Sequence, residues 1–362
     1  MADWNKILVL SLAGIGDTLM ATPVLHELRA QFPDAELDVL VMWSGAAQIL
    51  GGNPHITRIY QHDFIKTGRI ASLLFLRRLR KERYDLSLTL HPQGRREYRS
   101  ITRLIGARRR LSHEYENHSW KDGWLVTDEL PQDYTLHCVA NNLRLLSLLQ
   151  RPLLIPSQEY ELFLSAAERD WARATAQEFR LQPGRWLGVH VGSGGTKNLA
   201  LRRWPLDQYE TLFVDLFQRD RAQQIVLLGG PEEIAAHAQL RARFTKEIGE
   251  GRLLIPITPT LRHAAALLGE AGQFLSVDTV FMHLATAARV PQQFVIETPT
   301  LNPPVYPFRS EWIKIPNPAI GNRHLDFYRY DGRPIAGTAA ELECLMRSVT
   351  PAQVAAALAI KP

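Results

Sequence analysis

Short apolar runs alternate with helical patterns from one end of the chain to the other. In the first half, runs at 7–12, 37–42, 57–60 and 86–90 predict strands, and 3.6-residue periodicity predicts helices over 19–31, 46–50 and 70–81. Runs with no polar alternation suit strands covered on both faces, so the rhythm predicts a doubly wound parallel sheet. The rhythm lapses over 113–135, which reads as a surface loop region with one short strand. A helix over 136–149 follows. Arg151-Pro152-Leu153-Leu154-Ile155-Pro156, with a proline near each end, is the candidate linker. Strands then recur at 186–191, 224–228, 273–277 and 293–296, among helices at 166–180, 206–219, 232–244, 261–268 and 282–288. Helices near 339–346 and 351–360 close the chain. The expected organisation is an α/β chain of two Rossmann-like domains, 1–155 and 156–340, with a C-terminal helix within 341–362 that could pack back on the first domain.

Composition narrows this picture. The 362 residues, 46% hydrophobic and 22% charged, fit two globular domains and exclude disordered or collagen-like chains. No uncharged apolar run reaches the ~18 residues of a membrane span. Residues 7–16 resemble a signal-peptide core. Asp3 beside Lys6, and the lack of an A-x-A site, favour a buried first strand instead. Cys138 and Cys344 stand far apart, which excludes a disulfide framework and a thiolate zinc site and fits a reducing compartment. The net charge of +5 is uneven. Fifteen basic residues face four acids between His55 and Arg110, an excess of +11, so the remainder sums to −6.

The first strand runs into Ala13-Gly14-Ile15-Gly16-Asp17-Thr18 and then a helix. Such a loop brings backbone close to a ligand at a helix N-terminus. The dinucleotide fingerprint fails, because its third glycine falls at Leu19 and Met42-Trp43-Ser44 replaces the ribose-binding acid. Asp17 would repel a pyrophosphate and suits a hydroxyl that must lose its proton. The plainer reading is a helix cap. In the second half, His190-Val191-Gly192-Ser193-Gly194-Gly195-Thr196-Lys197 follows a strand and suits a phosphate cradle. Arg202-Arg203-Trp204-Pro205 then leads into a helix. Leu228-Gly229-Gly230-Pro231-Glu232-Glu233 puts acids at another helix start. Val277-Asp278-Thr279-Val280-Phe281-Met282-His283-Leu284-Ala285 joins strand to helix, with His283 one turn beyond Thr279.

Gly16-Asp17-Thr18 followed by Thr22-Pro23-Val24-Leu25-His26-Glu27-Leu28 resembles the N-terminal signature of glycosyltransferase family 9, the lipopolysaccharide heptosyltransferases. The second-half stretches are similar to that family's phosphate loop with its basic residue and W-P, its L-x-G-x-x-x-E stretch, and its D-[ST]-G-x-x-H-L-A motif. The resemblance implies a GT-B fold, two Rossmann-like domains facing each other across a cleft. It implies an inverting transferase without metal or other cofactor, moving a heptose, in all expectation from ADP-heptose, to a lipopolysaccharide core acceptor. Asp17 would be the catalytic base, with Gly16 and Thr18 beside the acceptor. Ser193, Gly194, Thr196, Lys197, Arg202, Asp278, Thr279 and His283 would hold the donor. Glu232 or Glu233 would hold its ribose, the choice being open.

Two positions depart from the family pattern. Val280 replaces the motif glycine, and Glu297 replaces the first glycine of a G-P-T-x-P stretch, which puts the donor pocket's shape in question. The arginine-rich window suits an acidic acceptor such as lipid A bearing Kdo sugars, at the anionic inner face of the inner membrane. Arg95, Arg96 and Arg99, after a strand, are the acceptor candidates, whereas residues 77–83 read equally as a solvated helix face. No nucleic-acid motif accompanies the charge. The resemblance therefore implies a cytoplasmic, peripheral enzyme. The competing readings are a family relative with another nucleotide-sugar, a nucleotide-sugar epimerase or dehydrogenase, and a non-catalytic sugar- or lipid-binding relative.

Overall fold

The computed structural model describes residues 4–116, 118–194, 198–308, 311–330 and 333–359. The chain divides into two units, Met1–Phe163 with Tyr330–Arg333, and Leu164–Arg329 with Pro334–Pro362. The first unit contains β1 (Lys6–Ser11), α1 (Ile15–Gln31), β2 (Glu36–Val41), α2 (Ser44–Leu50), β3 (Arg58–Gln61), α3 (Arg69–Lys81), β4 (Leu86–Thr89), α4 (Arg96–Ile105), β5 (Arg109–Glu114), β6 (Asp128–Pro131) and α5 (Cys138–Leu145). Its strands are all parallel, in the order β3-β2-β1-β4-β5-β6. The apolar run Ile7–Leu10 is wholly buried, as a central strand covered on both faces must be.

The second unit repeats the plan. It contains α6 (Ala166–Glu178), β7 (Leu187–Val189), α7 (Leu206–Arg219), β8 (Ile225–Leu227), α8 (Ile234–Arg243), α9 (Thr245–Gly249), β9 (Leu253–Leu254), α10 (Leu261–Leu268), β10 (Gln273–Ser276), α11 (Val280–Ala287), β11 (Gln292–Ile296), β12 (Trp312–Ile315), α12 (His324–Phe327), α13 (Ala339–Arg347) and α14 (Pro351–Leu358). The parallel order β9-β8-β7-β10-β11-β12 is that of the first sheet. In each sheet the order reverses between the first and fourth strands, and ligands of open α/β sheets bind at that switch point.

The sequence pattern misses α4, β5, β9, α9, β12 and α12, while β6 is the one short strand expected within 113–135. Strand β5 reads Arg-Arg-Leu-Ser-His-Glu, yet Leu111, Ser112 and His113 are fully buried while Arg109 pairs with Asp128 on β6. Its arginines find partners far along the chain, Arg109 at Asp128 and Leu148 O and Arg110 at Leu125 O, which local periodicity cannot show. The C-terminal segment, Pro334–Pro362, belongs to the second unit. Val354, Ala355 and Leu358 of α14 join the second unit's core, and the Trp204 indole donates to Val349 O (2.9 Å).

The expected linker is likewise part of a unit. Buried Glu27 on α1 accepts from Leu154 N (2.8 Å) and Ile155 N (3.0 Å), so residues 151–161 form a strap along α1 and the boundary falls after Phe163. Thr22-Pro23 explains how α1 tolerates an internal proline. Pro23 has no N–H for Leu19 O, and the Thr22 hydroxyl donates to that carbonyl instead (2.7 Å) while accepting from Glu161 N (3.0 Å) on the strap. Thr22→Val keeps the shape and leaves both backbone groups unpaired. It should cost about 1–3 kcal/mol of stability in urea denaturation, with cleavage by added protease rising at residues 151–161.

Candidate functional site

In the second unit the loops after β7, β8, β10 and β11 meet at the carboxyl ends of their strands. Asp278 follows β10, and its Oδ2 accepts from Arg202 Nη1 (2.8 Å) and the Thr300 hydroxyl (2.5 Å); Arg202 Nη1 also reaches Thr300 Oγ1 (3.1 Å). Arg202 and Asp278 are both buried, and the buried Arg202 Nε has no hydrogen-bond partner among the described residues. His283, one turn into α11, is buried beside this pair. Burial pushes its imidazole down to about 4, against the pull of Asp278 and with help from Arg202, so it is neutral at physiological pH.

A second polar chain runs through His190, which the sequence did not single out as a site residue. His190, at the end of β7, is buried and stacked on Phe281 (centroids 4.2 Å apart). Its Nδ1 lies 3.3 Å from Thr279 Oγ1 and its Nε2 3.7 Å from Glu233 Oε2. Buried Tyr209 reaches His190 O with its hydroxyl and packs edge-on against Trp204, so the W-P stretch braces the end of β7. Pro205 is the N-cap of α7, one position before the expected first turn.

Glu233 and Glu232, left open by the sequence, have distinct environments. Glu233 is buried and its Oε2 accepts from Gly230 N (2.8 Å). Burial pushes its carboxyl up, but His190, the Gly230 N–H and Arg203 outweigh this and hold it below the usual carboxylate range. A Cβ on Gly192 would sit 1.9 Å from Glu233 Oε1, and one on Gly229 2.8 Å from Glu233 Cβ, so two glycines make its berth. Glu232 is exposed and 3.8 Å from Arg203. Arg203 also pins the loop after β7, donating to Ser193 O (2.7 Å), while the Ser193 hydroxyl donates to Leu199 O. Gly194 is exposed with open space where a Cβ would project. Thr196 and Lys197 lie outside the described residues.

The two departures from the family pattern are absorbed. Val280 is the first residue of α11 behind the extended Thr279, so no positive φ is asked of it. Glu297 is buried and accepts from Lys314 Nζ (2.7 Å) and Asn317 N (2.7 Å), with His324 Nε2 at 3.0 Å, which ties the end of β11 to β12 and the turn beyond. Burial raises its carboxyl and these partners bring it below the ordinary range. Thr300, from the same stretch, is the residue that joins the Arg202–Asp278 pair.

In the first unit, Asp17 is the third residue of α1, half-buried, and its Oδ2 accepts from Gly14 N (2.6 Å). The cap expected as the plainer reading is thus present. It occupies Oδ2 and does not preclude a proton-accepting role for the carboxylate. A Cβ at Gly14 would lie 2.8 Å from that oxygen, which fixes the glycine. Gly16 sits within the first turn. Thr18 is buried and bonded to Ser11 and Gly14 O, a structural position. Gln93, unmarked by the sequence, stitches the loops after β1 and β4: it accepts from Leu12 N and donates to Leu10 O and Leu90 O. Burial raises the Tyr98 phenol, Arg95 opposes this and Asp17 adds to it, so Tyr98 feels both charges.

The three acceptor arginines are not brought together. Arg95 is exposed at the N-cap of α4, and Arg96 is exposed and paired with Asp122 (2.8 Å). Arg99 is 1% exposed and committed to Glu129 Oε1 (2.6 Å) and His113 O (2.9 Å). It corrects the expectation: α4 turns this side chain inward, where it ties α4 to β5 and β6. The +11 window is also not one field. Arg58 pairs with Glu36 and Asp38, and Arg109 with Asp128, all acids outside the window.

Gly192→Ala should force Glu233 from its berth and lower stability by about 1–3 kcal/mol in thermal denaturation. A Gly192→Ala, Glu233→Ala double variant should lose less than the sum of the single losses, since the clash is removed.

Residues 73–293 match the family model described as glycosyltransferase family 9 (heptosyltransferase). The chain is 28% identical over 295 residues to lipopolysaccharide heptosyltransferase 3 of Escherichia coli (strain K12), covering 76% of this chain and 78% of that protein. Similar solved structures include the glycosyl transferase family 9 from Veillonella parvula DSM 2008 (TM-score 0.72, 18% identity, 97% and 95% of the two chains). E. coli ADP-heptose lps heptosyltransferase II is also similar (TM-score 0.70, 20% identity, 98% and 97%). So is E. coli heptosyltransferase WaaC with ADP-2-deoxy-2-fluoro heptose (TM-score 0.68, 17% identity, 98% and 98%). At these identities the structural likeness establishes the fold, GT-B with two parallel six-stranded sheets. The family match spans more than half of the sequence: the chain belongs to glycosyltransferase family 9 and is a glycosyltransferase of the heptosyltransferase type.

Proposed function

We propose that the protein is an inverting, metal-independent transferase that moves a heptose from ADP-heptose to a sugar of the lipopolysaccharide inner core. The relatives named lipopolysaccharide heptosyltransferase 3, and the solved heptosyltransferase with an ADP-heptose analogue, support the donor and acceptor classes. The observation that carries the reading is Arg202 in the second unit. A buried guanidinium held by Asp278 keeps a donor, Nε, without a partner among the described residues. A diphosphate oxygen would satisfy it.

The donor diphosphate is assigned to Arg202, Ser193, Gly194, Thr196 and Lys197, with the N-terminus of α11 at Thr279 adding positive potential. Neutral His283 and Asp278 stand behind Arg202. Exposed Glu232 is the better ribose acceptor of the two acids, because Glu233 is committed to Gly230 and His190. On the first unit, the acceptor lies by Gly16 and Asp17 with Arg95 and Arg96 for its acidic groups; Thr18 and Arg99 support them from within. The acceptor hydroxyl oxygen attacks the anomeric carbon as Asp17 takes its proton. The bond to the diphosphate oxygen breaks on the opposite face, its electron pair leaves with the diphosphate, and the centre inverts. Arg202 and the helix end stabilise the departing charge in place of a metal ion.

The cytoplasmic membrane face is the assigned location. No helix among the described residues is long and apolar enough to cross a membrane. Helix α3 instead exposes Ile70, Leu73 and Leu74, with Ile70 79% exposed, beside Arg69, Arg77 and Arg78. Apolar side chains among cations suit the surface of an anionic bilayer.

Asp17→Asn should lower heptose transfer by roughly 10²–10⁴-fold with donor affinity unchanged, read by product mass spectrometry and by calorimetry with ADP-heptose. Near-wild-type turnover removes Asp17 from the reaction. A parallel screen against ADP-glucose, UDP-sugars and GDP-sugars tests the donor. Co-sedimentation with phosphatidylglycerol vesicles should exceed that with phosphatidylcholine vesicles, and Ile70→Ser, Leu74→Ser should reduce it. Equal sedimentation with both lipids counts against the membrane face.

A further inference from the structure

The strap along α1 carries a cluster that the transfer reaction does not use. His26 lies on α1, one turn beyond Thr22; His55 lies between α2 and β3; Glu161 lies on the strap. Glu161 Oε1 is 2.8 Å from His26 Nδ1, and Oε2 is 3.1 Å from His55 Nε2. The donor atoms of all three lie within 4.8 Å of one another. Four-coordinate zinc, with bonds of ~2.0–2.1 Å, spaces its ligand atoms ~3.3 Å apart; the His26 and His55 ring planes are only 12° apart, so one imidazole turns about its side-chain bonds for both nitrogens to face one ion.

Two further observations point to a ligand. Glu161 Oε2 is buried and has no hydrogen-bond partner, although His55 Nε2 is at contact distance. The two atoms are close without the alignment of a hydrogen bond. Two of the ligands are also fixed from behind. Glu161 N donates to Thr22 Oγ1, and His55 O accepts from Arg29 Nε (3.1 Å) and Nη2 (3.0 Å). The His26 and His55 rings stack with centroids 4.2 Å apart, and the edge of Phe163 packs on His55. Arg29 is the neighbouring cation, and its Nη1 is turned to the carbonyls of Pro33 and Ala35.

We propose that His26, His55 and Glu161 form a binding site for a zinc ion. Two imidazoles and one carboxylate are a donor set suited to a borderline divalent transition ion, with water in the fourth position. His26 is nine residues beyond Asp17 on α1, ~13 Å along the helix axis. The ion therefore serves the fold rather than the departing diphosphate. It fastens the strap to α1 at its last residues before the unit boundary, where the Glu27 and Thr22 bonds already hold it. The site is independent of which sugar the enzyme transfers.

The test uses the full chain, stripped with chelator and titrated with Zn²⁺ alone by calorimetry, with Co²⁺ as a spectroscopic probe. Expected results are uptake of a single equivalent, a chelator-reversible rise in Tm, and an intense d–d band from four-coordinate Co²⁺. Glu161→Gln and His26→Ala, checked for fold by circular dichroism, should bind zinc at least ~100-fold more weakly. No uptake by the wild-type chain, a hexaaquo-like Co²⁺ spectrum, or unchanged affinity in folded variants would each overturn the site.

Discussion

A parallel sheet that begins in its own middle has one place where the chain must part. In both units the first strand lies inside, with the second strand on one side and the fourth on the other. The loops leaving β1 and β4, and those leaving β7 and β10, diverge at their carboxyl ends and expose backbone there. Asp17 and Arg95 stand at the first of these points; Ser193, Asp278 and Thr279 stand at the second. The remaining features of both sites brace what this constraint opens. Gln93 holds the two loops of the first unit together, and His190 with Thr279 does so in the second.

The second unit buries an arginine, two acids and two histidines around its switch point. A buried ion pair contributes little net stability, because desolvation opposes attraction, and breaking it by removing one partner is costly. Arg202 and Asp278 are thus poor choices for stability alone and good ones for a rigid charged surface. Thr300 and neutral His283 complete the surroundings without adding charge. Glu233 follows the same logic. Two glycines admit it, and His190 and Gly230 keep it ionised. The departures at Val280 and Glu297 leave this arrangement whole, since Val280 needs only helical backbone and Glu297 finds its cation on β12.

In the first unit one hydroxyl serves two backbones. Thr22 replaces the hydrogen bond that Pro23 denies to Leu19 O and accepts one from the strap. A motif that identifies the family by pattern therefore has a local reason and a distant one. Glu27, five residues on, holds the strap through two backbone amides. What reads as a proline-bracketed linker is a fixed part of the first unit.

Local pattern was enough for the α/β class, the two-unit plan and most central strands. These follow from apolar runs and glycine spacing, which are local properties of the chain. Asp17, Arg202, Asp278 and His283 could be nominated because their motifs lie within a few residues. Tertiary structure alone decided the rest. It turned Arg99 inward, gave Glu232 and Glu233 different environments, revealed His190, Gln93 and Thr300, and assigned α14 to the second unit. It also paired Arg58, Arg99 and Arg109 of the +11 window with acids on strands outside it. The reason is physical. A polar side chain's role depends on its partners, and strand order brings those partners from as far as Arg202 is from Thr300.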